Sequence, residues 1–162
     1  MKTFTVRHPI ECTPDVFWER IHLGGFNQHM YDRLGYGYEC LVDDHETGVR
    51  KTHITPVVDA PKLLVKALGE SVSFEEHGVL HREPSGTRYE FNVVPGVFPK
   101  RISISGQMTT EPNGPDGCFR VVDFKIGCTI FGIGKVFESF VSKEITKNYE
   151  DSWGYTNAYL KT

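Results

Sequence analysis

The amino-acid sequence predicts an α+β fold: a curved antiparallel sheet of about seven strands wrapped on one long C-terminal helix, with two short helices after the first strand. Three observations point there. From Cys118 to Phe131, the residues Val122, Phe124, Ile126, Cys128 and Ile130 share one strand face, and Arg120, Asp123 and Lys125 make their neighbours polar. That is the one-face-buried signature of an antiparallel sheet. From Ile133 to about Leu160, apolar residues recur at the 3.6-residue period of a helix: Val136, Phe137, Phe140, Val141, Ile145, Tyr149, Trp153 and Leu160. Between these and the N-terminus lie strand-like runs separated by turn residues.

Each element follows from local chemistry. Thr3 to Ile10 alternates and forms the first strand. Thr13-Pro14-Asp15 starts a helix: Thr13 caps, Pro14 suits the first helical position, and Asp15 favours the positive helix end. Val16, Phe17 and Ile21 give that helix its apolar face, and Gly24-Gly25 breaks it. Phe26 to Leu34 makes a second short helix, stopped at Gly35. Tyr36 to Asp43 is a strand with Tyr36, Tyr38, Cys40 and Val42 on one face; it turns at Asp44 to Gly48 and returns from Val49 to Val58. A short helix from Pro61 to Leu68 ends at Gly69. Strands over Ser71 to Arg82, Thr87 to Val94 and Arg101 to Thr110 precede the last one, divided by Pro- and Gly-bearing turns. The final helix would be ~40 Å long at 1.5 Å per residue.

Size and charge narrow the function classes. A chain of 162 residues reads as one domain over 1–162, large enough to fold without disulfides or metal. Net charge is −3 and no Lys/Arg run exceeds two residues, so neither nucleic acid nor an anionic membrane is favoured as a partner by charge. Cys12, Cys40, Cys118 and Cys128 show no CxxC spacing, and Met1 to Ile10 lacks the apolar core of a signal peptide, so a cytoplasmic protein with reduced thiols is expected. The 11 Phe and 7 Tyr suit a large core or an apolar cavity wall.

Three segments carry a resemblance to a known family. They are Ala60-Pro61-Lys62-Leu63-Leu64-Val65-Lys66-Ala67-Leu68-Gly69, followed by the paired acids Glu75-Glu76; then Asn92-Val93-Val94-Pro95-Gly96; then Phe131 to Phe140, where the last strand hands over to the helix. With the element order, they make the whole chain resemble the START-like (SRPBCC) superfamily, the helix-grip fold of birch-pollen-allergen-like proteins, in an uncharacterised bacterial branch. The third segment is also similar to the corresponding part of PRELI-type phospholipid carriers. The resemblance implies a cavity between sheet and helix for an apolar ligand such as a lipid, a sterol or a polyketide, with no cofactor. Members of the superfamily carry, sense or convert their ligands.

On that reading the middle strands wall the cavity with Phe91, Ile102, Ile104 and Met108. The last strand adds Val122, Phe124 and Ile126, and the helix adds Phe137, Phe140, Val141, Ile145 and Tyr149. The same residues would equally build a filled core. Leu63, Leu64 and Phe98, on the short helix and the loop Pro95 to Pro99, are the expected gate and the expected point of transient membrane contact. On the strand from Val49, Ile54 and Val58 favour burying their own face, which places Arg50 and Thr52 toward the cavity mouth and His53 outside.

Other constellations are weaker. His77 and His81 are four residues apart on a strand, ~13 Å and too far for one metal ion. Gly127 to Lys135 brushes against a phosphate loop, but Ile133 stands where that loop needs Lys; the helix start at Gly134 and Lys135 can meet an anionic head group, or the glycines only allow close packing. Glu75, Glu76, Glu90 and Asp123 read as solvated strand faces, and no catalytic residue or metal ligand is assigned. Three functions stay open: a binder or carrier of an apolar molecule, a polyketide cyclase or aromatase acting in the same cavity, and a packed interaction module. Two or more titratable residues facing the cavity would promote the second.

Overall fold

The computed structural model describes residues 1–70 and 72–162; the Ser71 start expected for the fourth strand lies outside the described residues. The elements are β1 (Lys2–Ile10), α1 (Pro14–Val16), which runs directly into a π-helical turn (Phe17–His22), α2 (Phe26–Leu34), β2 (Gly37–Asp43), β3 (Val49–Thr55), α3 (Lys62–Leu68), β4 (Phe74–Glu83), β5 (Gly86–Pro95), β6 (Ile102–Asn113), β7 (Gly117–Cys128) and α4 (Gly134–Leu160). The seven strands form one antiparallel sheet in the order β1-β7-β6-β5-β4-β3-β2. The predicted α+β helix-grip architecture is the observed one. Strands β2 to β7 follow one another as neighbours, while α1 and α2 carry the chain from β1 to the opposite edge.

Boundaries differ from the sequence pattern where local geometry overrides it. Strand β7 stops at Cys128 rather than Phe131: after one further bond, Thr129 N–H to Arg101 O, the chain turns through Gly132 at φ 82°. Phe131 ends up exposed on that turn. Strand β3 ends at Thr55, before Pro56, which lacks the donor a ladder needs. In β2 the register jumps from Cys40↔Thr52 to Val42↔Lys51, so the single face expected for Tyr36, Tyr38, Cys40 and Val42 is broken by a bulge. Arg120, expected among the polar neighbours in β7, has the parity of Cys118, Val122 and Phe124 and is buried with them.

Helix α4 lies over β1 and β7 and also contacts α2. It is anchored at both ends of its reach. The Met1 amine pairs with Glu138 at 2.9 Å, and Trp153 Nε1 donates to Pro9 O at 2.7 Å. At its start, a Cβ on Gly134 would stand 2.6 Å from Cys128 O, so this glycine serves close approach of helix and strand. Two buried apolar groups result. One joins β1, the π-helical turn and α2 to the sheet centre through Phe17, Trp18, Phe26, Tyr89 and Phe124. The other joins α3 and the start of α4 to the sheet through Leu64, Ile102, Ile126 and Phe137.

Two glycines shape the concave face. A Cβ on Gly78 would stand 2.1 Å from the Tyr89 ring, and one on Gly106 would stand 2.4 Å from the Phe91 ring. The two aromatic rings of β5 therefore lie flat across the neighbouring strands. Among the described residues no helix is long and apolar enough to cross a membrane.

Candidate functional site

A cavity of about 320 Å³ lies between the sheet, α4, α2 and α3. Phe91, Ile102, Ile104, Met108 and Phe124 wall it from the sheet. Phe137, Phe140, Val141, Ile145 and Tyr149 wall it from α4. Val122 and Ile126, expected beside them, are absent from the wall and 0% exposed. Both are packed into the buried apolar groups on β7, while Arg120 and Phe124 of the same strand do line the space, which extends over β4, β5 and β6, with α2 and α3 at its sides.

The expected gate is divided. Leu64 is 3% exposed and points into the wall, whereas Leu63 is 48% exposed. Adjacent helical residues diverge by ~100°, so α3 cannot turn both outward. Phe98 is 47% exposed, stands outside the lining, and takes a left-handed backbone at φ 48°, with its carbonyl accepting from Arg101 and Ile102 N–H. Arg50 is among the residues that line the cavity. Its Nη2 donates to His22 O and its Nε to Asp43 Oδ1 at 3.4 Å. Thr52 is buried with it but lies outside the lining.

The polar interior does not show in the sequence pattern. Glu76 lines the cavity, and its Oε1 accepts a hydrogen bond from the Tyr89 hydroxyl at 3.2 Å. Burial holds its carboxyl above the ordinary range, against the opposing Tyr89 hydrogen bond and the Arg50 charge. Three phenols surround it. Tyr31, Tyr89 and Tyr149 all titrate above the ordinary tyrosine range, chiefly through burial and further through the Glu76 charge. Strand β5 holds Tyr89 against the His22 ring, with centroids 4.5 Å apart. Burial, with Arg50 nearby, lowers the His22 imidazole to about 3, so it is neutral.

A second polar point is Arg120, 3% exposed. Its Nη1 donates to Ser152 Oγ at 3.4 Å, and its Nη2 reaches Tyr149 O at 3.2 Å and His8 Nδ1 at 3.3 Å. Its guanidinium lies over the Tyr149 ring at 4.9 Å, and burial lowers its pKa to about 10. Arg120 thus ties β7 and β1 to α4 at the cavity wall, which it lines. The remaining candidates stay apart from this cluster. Glu75 and Glu90 pair with His77 and His81 on the other sheet face, at 3.4 and 3.6 Å, and Asp123 accepts from Thr5.

A family model described as "Protein of unknown function (DUF2505)" matches residues 5–160. The chain belongs to this family. No curated protein matches it. Among solved structures, this DUF2505 chain is similar to a norcoclaurine synthase from Thalictrum flavum at TM-score 0.70 and 14% identity, covering 99% of this chain and 96% of that one. It is also similar to an aromatase/cyclase from Streptomyces at TM-score 0.69 and 11% identity, over 98% and 95% of the two chains. A START superfamily protein from Mycobacterium smegmatis aligns at TM-score 0.62 and 10% identity, over 96% and 97%. At these identities the likeness establishes the START-like fold.

Proposed function

We propose that this protein binds an apolar small molecule in the cavity between sheet and α4, as one START-like domain acting in the cytoplasm. The observation that carries this reading is the cavity itself: about 320 Å³ of space whose wall is apolar apart from a few convergent polar groups. Ligand sites have this composition, because apolar burial supplies affinity and the polar groups fix orientation. A packed interaction module would have no use for such a space. The volume is at the low end of the range for drug-sized ligands. It favours a compact ring compound or one acyl chain over a two-chain phospholipid. Leu63 and Phe98, both exposed, are the surface we assign to transient membrane contact.

The second reading, a polyketide cyclase or aromatase type of enzyme in the same cavity, is favoured by one observation. Glu76, Tyr31, Tyr89 and Tyr149 all face the space, which meets the requirement for several titratable groups there.

Native mass spectrometry of the protein as purified, with organic extraction, tests the binding reading. A co-purifying apolar mass is the expected result. A clean apo mass together with an unchanged melting temperature across lipid, sterol and polyketide panels would overturn it.

A further inference from the structure

A purely hydrocarbon ligand would leave Glu76 without a purpose. A carboxyl group facing an apolar cavity destabilises the fold unless its oxygens are satisfied. Here Tyr89 satisfies Oε1, and among the described residues no hydrogen bond reaches Oε2. Tyr31, on the opposite wall from α2, is in the same condition: among the described residues its hydroxyl has none of the hydrogen bonds that Tyr36 and Tyr89 have. Both groups are close enough that the Glu76 charge acts on the Tyr31 phenol. The cavity wall therefore contains two groups able to donate a proton, Glu76 and Tyr31, with no partner for that proton among the described residues.

The chemistry that fits is an oxygen acceptor. A carbonyl oxygen has two lone pairs and takes two donors. In its neutral form, the one that burial favours, Glu76 supplies one and Tyr31 the other, while Tyr89 holds the carboxyl in place through Oε1. Burial favours the neutral acid, the form that can donate. The nearby charge that acts on Glu76 is the Arg50 guanidinium, and Arg120 lines the same cavity. The Arg50 charge that acts on Glu76 favours an oxygen with partial negative charge at that point of the wall.

We propose that Glu76 and Tyr31 form a hydrogen-bonding clamp for a carbonyl oxygen, and that the ligand is an apolar ketone, enone or quinone rather than a hydrocarbon or an amine. This inference rests on the cavity being a ligand site. The groups that interact with Glu76 are Tyr89 from β5, Tyr31 from α2, Tyr149 from α4, Tyr38 from β2 and Arg50 from β3; His22, Tyr36 and Arg120, with Glu70 and Glu144, are the other ionisable groups of the wall. The five tyrosines titrate above their ordinary range and His22 well below its own, so a change of ketone affinity above the ordinary carboxylate range reports Glu76.

The test is a fluorescence titration of the intact chain with the aromatic ketone prodan, its propyl analogue without the carbonyl oxygen, and the corresponding amine. The wild-type protein is expected to prefer the ketone over the propyl analogue by roughly 5- to 150-fold, the value of two ordinary hydrogen bonds. That preference falls as pH rises and Glu76 ionises. The bound ketone emits to the red, as a carbonyl that accepts hydrogen bonds does. Tyr31→Phe and Glu76→Leu, each checked by thermal melting, lose the preference and the red shift while binding the propyl analogue as before. If Glu76→Leu fails to fold, Tyr31→Phe decides alone. Equal binding of ketone and propyl analogue, or tighter binding of the amine, overturns the clamp and leaves the cavity reading standing. If no probe enters, both readings fall.

Discussion

Gly78→Ala tests how the site is built. The added methyl would stand 2.1 Å from Cζ and Oη of Tyr89 and 2.4 Å from Cε2. Gly78 has no left-handed backbone, so the cost is steric rather than conformational. The ring can retreat only by giving up its packing and its hydrogen bond. It is buried beside the cavity it lines, its ring packs against His22 at 4.5 Å and Phe91 at 5.8 Å, and its hydroxyl is tied to Glu76. Overpacking a contact of this kind costs ~1–3 kcal/mol. Displacing the hydroxyl leaves a buried carboxyl oxygen unpaired, a further ~1–3 kcal/mol. Urea unfolding followed by circular dichroism should therefore show a loss of ~2–5 kcal/mol, roughly 4–20 °C in melting temperature for a chain of this size. In a Tyr89→Leu background the methyl has space, and its cost should fall below ~1 kcal/mol. Equal costs in the two backgrounds, or a cost below ~1 kcal/mol in the wild type, would refute the view that this glycine exists to seat Tyr89 on Glu76.

Three further outcomes are expected. His22 is neutral in the folded protein at about 3 against an ordinary value near 6.5, so its contribution is complete above pH ~6.5 and is lost as pH falls toward 3; His22→Gln should flatten that part of the stability profile by on the order of a few kcal/mol, and an unchanged slope in acid titrations would contradict it. Val141→Phe, on the α4 wall, should raise stability of the empty protein by ~0.5–2 kcal/mol while abolishing probe binding; retained binding in a fluorescence titration would show that ligand sits elsewhere. Phe98→Asp should slow ligand exchange with liposomes at unchanged melting temperature; an unchanged exchange rate removes this loop from the membrane-contact surface.

The fold is legible in the sequence because its evidence is periodic. Residues 134–160 declare a helix by spacing, and β7 declares a half-buried strand by alternation. The placement of Arg50 on the inner face of β3 follows from the same rule, with Ile54 as the marker. What periodicity cannot distinguish is wall from filler. Val122 and Phe124 both sit on β7 with their side chains buried, yet Val122 is sealed while Phe124 lines the cavity. The difference lies in tertiary packing, which strand parity does not encode. Nor can it tell which of Leu63 and Leu64 turns inward before the helix is docked.

The polar interior is hidden from sequence for another reason, and the reason bears on function. Glu75 and Glu76 together look like a solvated pair, but neighbours on a strand point to opposite faces. One of the two has to share the face of Phe74 and Leu80, and it is Glu76. The same parity puts Arg120 with Val122 and Phe124. In both strands a charged residue interrupts an otherwise inward apolar set. Such interruptions lower stability, and a filled core gains nothing from them. Glu76 faces three phenols, with one oxygen held and the other without a partner among the described residues. A cavity that only needed to exclude water would have a leucine there. The carboxyl is explained if the cavity must hold a molecule by an oxygen atom, and Glu76→Leu, more stable when empty and indifferent between ketone and hydrocarbon, is the variant that separates the two accounts.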